Sequence, residues 1–149
     1  MNIPLPDLAA TARLGAAIAQ RLREGDVVAL SGGLGAGKTS LARAIIAALG
    51  HDGEVPSPSF AIVELYEPPD VRLPIVHADF YRLADPLEAR EIGLDDYRQG
   101  AALIAEWPEN AGGFAQEPAC LSVLLELADE GRIAVVEGGP DWLGRMSWS

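Results

Sequence analysis

The sequence predicts an α/β fold built on a sheet that mixes parallel and antiparallel strands. Two short apolar runs, residues 26–33 and 101–107, are too brief for helices and have the composition of buried strands. Helical segments lie on both sides of the first run, an alternation typical of parallel sheets. Two further pairs of apolar segments are each joined by a turn-forming stretch, and these pairs predict antiparallel hairpins.

The first third of the chain predicts a helix, a strand, a second helix and a loop, in that order. Asp7 is placed to cap a helix that runs to about Arg23, because apolar residues recur there at helical spacing. The buried strand over residues 26–33 leads through a glycine-rich loop into a helix over residues 38–49. Residues 51–60 contain two prolines and two serines and are predicted to be a loop.

The rest of the chain predicts two hairpins separated by a helix and a strand. Residues 61–67 and 71–80 form the first hairpin, with its turn at the prolines between them. A short helix is expected over residues 85–94, and a buried strand over residues 101–107. The second hairpin is expected over residues 120–138.

Length and composition indicate one globular domain over residues 1–149. The 149 residues are 49% hydrophobic, enough for one substantial core but not for two. No run of about 18 apolar residues is present, and the N-terminal segment lacks the basic-then-apolar order of a secretory signal. We therefore expect a cytoplasmic protein without membrane contact, in which the single cysteine, Cys120, is a buried thiol.

The charge of the chain argues against direct binding of nucleic acid. The formal net charge is -11 and the sequence pI is near 4.4, so the surface repels phosphate backbones. Any contact with RNA is expected to run through a more basic partner. Among the 11 basic residues, Lys38 is the only lysine.

Residues 32–39, GGLGAGKT, match the pattern of a phosphate-binding loop, in which main-chain N–H groups curl around phosphate oxygens. The following helix adds its unpaired N-terminal N–H groups. Lys38 is predicted to bind the β- and γ-phosphates, and Thr39 to bind Mg²⁺. An ordinary glycine-rich turn is the alternative. The residues predicted to bind nucleotide here are Gly33, Leu34, Gly35, Ala36, Gly37, Lys38, Thr39 and Ser40.

Two acidic residues follow apolar strands and are candidates for metal binding and catalysis. Asp79 ends the run LPIVHAD, and Glu106 ends AALIAE. Carboxylates at such strand ends hold Mg²⁺ or orient the attacking water in nucleotide hydrolysis. The sequence does not separate these two roles, and a solvated acid at a strand end is the alternative for each.

Three residues near these acids have open roles. His77 shares a strand face with Asp79, so it orients Asp79 or a water, or is a structural histidine. Arg82 neutralises phosphate charge or forms a surface salt bridge. Trp107 packs in the core or stacks on adenine.

In the loop SPSF, Ser59 has a hydroxyl where switch loops sense a γ-phosphate, although a plain connector is the simpler interpretation.

Five motifs follow one another along the chain: GGLGAGKTSLARAII, VPSPSF, HADFYRL, EIGLDDY and LIAEWPEN. Motifs in this order resemble the TsaE family, formerly YjeE, the ATPase component of bacterial tRNA threonylcarbamoyladenosine biosynthesis. The similarity runs from about Gly25 to Asn110. Two departures are Ser59, where the family usually has threonine, and the segment Arg98-Gln99-Gly100, where an aromatic residue is commoner.

The resemblance implies a P-loop NTPase-like three-layer fold and a weak Mg²⁺-dependent ATPase that its partners stimulate. It implies a complex with the subunits TsaD and TsaB, through which the protein reaches tRNA. By similarity, Lys38 and Thr39 bind phosphate and metal, Asp79 and Glu106 supply the acidic groups, and Ser59 becomes a switch-loop hydroxyl.

Three functions are therefore considered. The first is ATP hydrolysis that drives turnover of a partner enzyme modifying tRNA. The second is a small-molecule or nucleoside kinase, although no arginine-bearing lid insertion is evident. The third is a nucleotide-dependent binding module without catalysis. A guanine-reading Asn/Thr-Lys-x-Asp segment is absent from the sequence, which favours ATP over GTP.

Overall fold

The computed structural model of the protein describes residues 1–56 and 62–146. Seven strands form one mixed sheet in the order β1-β7-β6-β2-β5-β4-β3. The central strands β6, β2, β5 and β4 run parallel, whereas β1, β7 and β3 pair antiparallel with their neighbours. The strands are Asn2–Leu5, Val27–Gly32, Val63–Tyr66, Ile75–Asp79, Ala102–Glu106, Cys120–Leu127 and Arg132–Gly138 for β1 to β7.

Among the described residues, four α-helices lie on the two faces of this sheet. The longer helices, α1 (Leu8–Arg21) and α2 (Lys38–Ala48), pack on one face through buried leucines and isoleucines. The short helices, α3 (Leu87–Glu91) and α4 (Leu94–Arg98), contribute to a second buried cluster on the other face. The predicted three-layer α/β fold with a mixed sheet is therefore confirmed.

The predicted N-terminal helix and both predicted hairpins are present. Asp7 caps α1, where its Oδ1 accepts a hydrogen bond of 2.8 Å from the N–H of Ala10. Strands β3 and β4 pair antiparallel, as do β6 and β7. No helix within the described parts of the chain is both long and apolar enough to cross a membrane.

Two local predictions were incomplete. The helix expected over residues 85–94 is two helices, because Gly93 adopts a left-handed conformation with φ of 84° that ends one helical path and starts another. Strand β1, which forms an edge of the sheet beside β7, was not predicted from the sequence. Its Pro4 suits an edge position, because proline cannot donate to a neighbouring strand.

Candidate functional site

The glycine-rich loop connects the carboxyl end of β2 to α2, and two of its glycines are required by the geometry. Gly32 has a φ of 136°, and an added Cβ would lie 2.4 Å from the carbonyl oxygen of Leu125. Gly37 precedes α2 with a φ of 104°. Side chains other than glycine are strained in both conformations, so both positions require glycine.

The glycine-rich loop ends at the N-terminus of α2. Gly37 is the N-cap residue, and no side chain forms a capping hydrogen bond there. The first N–H groups of a helix have no partner within the helix, and the helix dipole concentrates positive charge at the same end. The loop and the start of α2 therefore have the geometry and the partial positive charge that suit an anion.

Lys38 is the first residue of α2, and its side chain reaches back to the glycine-rich loop. Only 5% of its surface is exposed. Its Nζ donates hydrogen bonds to the carbonyl oxygens of Gly32 at 2.9 Å and Gly33 at 2.6 Å. The same Nζ lies 4.3 Å from the ring centroid of Trp107. Burial lowers the pKa of Lys38 below its usual value, and nearby carboxylates, first that of Glu106, oppose the shift.

The two predicted acidic residues lie side by side at the carboxyl edge of the sheet. Strands β4 and β5 are parallel with Asp79 opposite Glu106, so both strands end at the same level. Both side chains are buried, with exposed fractions of 7% for Asp79 and 1% for Glu106. The Asp79 Oδ1 accepts a hydrogen bond of 3.0 Å from the N–H of Tyr81.

Glu106 connects the sheet to the loop. The hydroxyl of Thr39 donates to its Oε1 at 2.7 Å. A hydroxyl and a carboxylate oxygen at this separation are the hard donors that Mg²⁺ prefers, and they leave the remaining coordination positions to phosphate and water oxygens. The donor set therefore fits a magnesium–nucleotide complex.

His77, whose role the sequence left open, contacts Glu106 rather than Asp79. Its Nε2 lies 2.6 Å from Glu106 Oε2, and the imidazole is fully buried. The parallel register of β4 and β5 places His77 opposite Ile104, two residues before Glu106. The sequence signal was the shared strand face, but the identity of the neighbouring strand decided the partner.

A cavity of about 470 Å³ opens between the loop and the two acids. Arg82 and Trp107 line it together with the groups described above. Trp107 is half-buried with a positive φ of 55°, and its ring packs 5.0 Å from that of Tyr81. Arg82 is largely exposed at the rim. Most of the residues that the sequence singled out therefore line this cavity.

A second cavity, of about 300 Å³, lies on the other side of the glycine loop. It shares Gly35, Gly37 and Ser40 with the first cavity, so the two meet across the loop. Its far wall contains apolar side chains from three different elements. These side chains are Leu5, Leu8 and Leu125.

Arg132, which the sequence analysis did not identify, fixes the loop between the cavities. Its guanidinium donates to the carbonyl oxygens of Gly35 at 3.0 Å and Ala36 at 3.2 Å. Arg132 starts β7, far from the loop in sequence, and no local pattern predicts this contact. The C-terminal hairpin therefore contacts the glycine-rich loop directly.

The other residues predicted to bind nucleotide differ in their exposure. Ala36 is buried, Leu34 is 71% exposed at the tip of the loop, and Gly33 is exposed beside it. Leu34 also lines the larger cavity. Ser59, the predicted switch-loop hydroxyl, lies outside the described residues.

Comparison with known proteins gives a family, two relatives and a solved structure. A family model described as Threonylcarbamoyl adenosine biosynthesis protein TsaE matches residues 5–134. A Synechocystis protein described as tRNA threonylcarbamoyladenosine biosynthesis protein TsaE is 41% identical over 114 residues, which cover 73% of this chain and 71% of that protein. The Haemophilus influenzae protein of the same description is 39% identical over 107 residues, covering 71% and 66%.

The crystal structure of YdiB from Bacillus subtilis has the same fold. It superimposes with a TM-score of 0.68 at 28% sequence identity, and the match covers 97% of this chain and 88% of YdiB.

Proposed function

This chain belongs to the TsaE family of threonylcarbamoyl adenosine biosynthesis proteins, and from that premise we propose that it binds ATP with Mg²⁺ and hydrolyses it. The observation that carries the proposal is the hydrogen bond between Thr39 and Glu106. It joins the hydroxyl that ends the glycine loop to a buried carboxylate at the end of a parallel strand. Phosphate and metal ligands are therefore available at one point.

The loop binds the phosphate chain of ATP. Main-chain N–H groups of residues 33–39 and the first turn of α2 donate to the phosphate oxygens. The Lys38 ammonium exchanges its present acceptors, the carbonyls of Gly32 and Gly33, for the β- and γ-phosphates. Its burial strengthens this ionic contact, because little water screens the pair.

Thr39 and Glu106 hold the metal ion. Bound Mg²⁺ supplies positive charge that offsets the negative charge on the phosphoryl oxygens. The two protein oxygens fix the metal position through the rigid start of α2 and the end of β5. Asp79 lines the same cavity from the neighbouring strand and orients the attacking water, while the N–H of Tyr81 holds its Oδ1.

The smaller cavity takes the adenine. The terminal phosphate end of the nucleotide is set by Glu106 and Thr39, so the base must lie beyond the opposite side of the loop. The apolar cavity there meets the phosphate cavity at Gly35, Gly37 and Ser40. Apolar side chains suit the faces of a purine ring. In this arrangement Trp107 covers Lys38 at the phosphate end instead of stacking on adenine.

The relatives are named for biosynthesis of threonylcarbamoyladenosine in tRNA, and we extend that role to this chain. Hydrolysis here drives turnover of a partner complex formed by TsaD and TsaB, which contacts the tRNA. The net charge of -11 supports indirect contact with RNA. Exposed Leu34 and Tyr81, 71% and 48% exposed, give the cavity mouth an apolar rim that a stimulating partner can cover.

Release of inorganic phosphate from ATP labelled at the γ-position tests this function. The wild-type protein with Mg²⁺ is expected to release free phosphate slowly, and faster once TsaD and TsaB are added. Lys38→Met, which keeps a long apolar stem without the charge, is expected to lower the rate at least about 100-fold. Transfer of the label to a metabolite would instead identify a kinase. Equal rates for wild type and Lys38→Met would contradict the proposed site.

A further inference from the structure

The buried imidazole of His77 is oriented by a single hydrogen bond. Its Nε2 lies 2.6 Å from Glu106 Oε2, and both side chains are almost fully buried. An ionised carboxylate only accepts hydrogen bonds, so Nε2 carries the hydrogen. The other ring nitrogen, Nδ1, has no hydrogen-bond partner among residues 1–56 and 62–146. The arrangement is thus the tautomer that presents Nε2–H to Glu106.

Each oxygen of the Glu106 carboxylate has its own donor. Thr39 donates to Oε1 at 2.7 Å, and His77 donates to Oε2 at 2.6 Å. The two donors come from different elements, α2 and β4, on either side of the carboxylate. They fix the rotation of the carboxylate plane as well as its position.

Lys38 is the group that would compete for a released carboxylate. Among the charges acting on Lys38, that of Glu106 is the largest. A Glu106 side chain without its Oε2 donor would turn towards the ammonium. That ion pair would remove Lys38 from the phosphates and Glu106 from Thr39 at once.

We propose that His77 is a positioning residue, which holds Glu106 against Thr39 and away from Lys38 so that Mg²⁺ and nucleotide bind together. The proposal rests on the proposed function. Groups that orient metal ligands in this way typically contribute about 10–100-fold to metal affinity or activity. His77 itself does not contact the substrate.

Two substitutions separate positioning from packing. His77→Leu fills the space without a donor, whereas His77→Gln restores an N–H close to the position of Nε2. We expect His77→Leu to weaken binding of ADP in the presence of Mg²⁺ about 10–100-fold. Binding of ADP alone should weaken by a smaller factor, because it loses the contact with Lys38 but has no metal ligand to lose. His77→Gln should recover most of the loss. His51→Leu, at the only other histidine, is the matched control and should bind like wild type.

Calorimetry of ADP binding with and without Mg²⁺ measures these effects without catalysis. Wild-type Mg²⁺-dependent affinity in His77→Leu would overturn the proposal, and so would a loss in His77→Gln as large as in His77→Leu. Failure of the wild type to bind Mg²⁺ and nucleotide would instead overturn the proposed function. A double-mutant cycle with Glu106→Gln should be strongly non-additive, because both changes break one contact.

The wild-type protein offers a test that does not depend on the folding of any variant. Long-range ¹H–¹⁵N correlation spectra distinguish the two tautomers of an imidazole, and the chain has only two histidines. A hydrogen on Nε2 of His77 is the expected result. A hydrogen on Nδ1 alone would overturn the proposal.

Discussion

Ionisable side chains are buried at both ends of the central parallel strands, but their partners differ between the two ends. At the amino end, Asp26 precedes β2 and is 3% exposed. Both of its oxygens bind the guanidinium of Arg145, at 2.8 and 3.0 Å, and one also accepts the N–H of Arg23. Arg145 donates in addition to the carbonyl oxygen of Arg21 at the end of α1. The charged groups at this end therefore pair with each other.

At the carboxyl end, the buried charges face a cavity. Lys38 donates to carbonyl oxygens of its own loop, and Glu106 and Asp79 line the cavity beside it. Removing one partner of a buried ion pair leaves an uncompensated charge and destabilises the fold, whereas buried charges around a cavity suit an external ligand. The comparison predicts that changes at the amino end reduce stability and that changes at the carboxyl end reduce nucleotide binding and turnover.

The largest expected effect is on stability at the amino end. Asp26→Ala leaves the mostly buried Arg145 without its carboxylate, so we expect the free energy of unfolding to fall by about 3–5 kcal/mol. Denaturant unfolding measures it. Glu117→Ala, which breaks the more exposed pair with Arg98, is the control and should cost less than about 1 kcal/mol. A loss of equal size in both variants would remove the distinction between the two ends.

The next effect is on turnover at the carboxyl end. Thr39→Val removes the hydroxyl that bonds to Glu106 but keeps a β-branched side chain. The rate of phosphate release should fall about 100-fold, equivalent to about 2.7 kcal/mol, with little change in unfolding midpoint. Thr39→Ser keeps the hydroxyl and should retain most of the rate. A normal rate in Thr39→Val would show that the hydroxyl holds no metal ion.

A smaller effect is expected where the C-terminal hairpin supports the loop. Arg132→Ala removes the donors to the carbonyls of Gly35 and Ala36, so the loop loses part of its ordering before ligand binds. We expect nucleotide affinity to fall about tenfold, or about 1.4 kcal/mol, by calorimetry. Arg13→Ala, at an exposed position on α1, should bind like wild type. Unchanged affinity in Arg132→Ala would restrict the hairpin to a structural role.

The smallest effect is on the pH dependence of binding. Burial lowers the pKa of Lys38 below its ordinary value of 10.5. In the proposed site the ammonium binds phosphate, so nucleotide affinity should be constant below the lowered pKa and fall as pH rises through it, by less than tenfold per pH unit. Calorimetry at alkaline pH should also detect proton uptake on binding. Lys38→Arg, which stays charged, should lack the decline. Constant wild-type affinity up to pH 10.5 would contradict an ionic role for Lys38.

The sequence predicted the parts of the site that depend on local structure. The strand, the glycine loop and the helix are adjacent in the chain. Their geometry therefore depends on local features, which are glycines with positive φ and the free N–H groups at the start of the helix. The adjacency of Asp79 and Glu106 follows once their strands are parallel neighbours, because both strands end at the same level.

The contacts that depend on strand order were not predicted. The partner of His77 was set by β5 lying next to β4, and the contact of Arg132 with the loop by the placement of β7 beyond β6. Strand β1 was not predicted because Pro4 disfavours a regular strand, although proline is compatible with the edge position that β1 occupies. Which strands become neighbours depends on the tertiary structure, and the periodicity of a single segment does not encode it.

The most direct test of the central claim is to locate the nucleotide on the main chain. Titration of ¹⁵N-labelled protein with ADP and Mg²⁺ should produce its largest chemical-shift changes in the amides of residues 33–39, with smaller changes around Leu5 and Leu125. The amides around Asp26 should not move. Large changes confined to the amino end of the strands, or none at saturating nucleotide, would contradict a phosphate-binding role for the glycine loop.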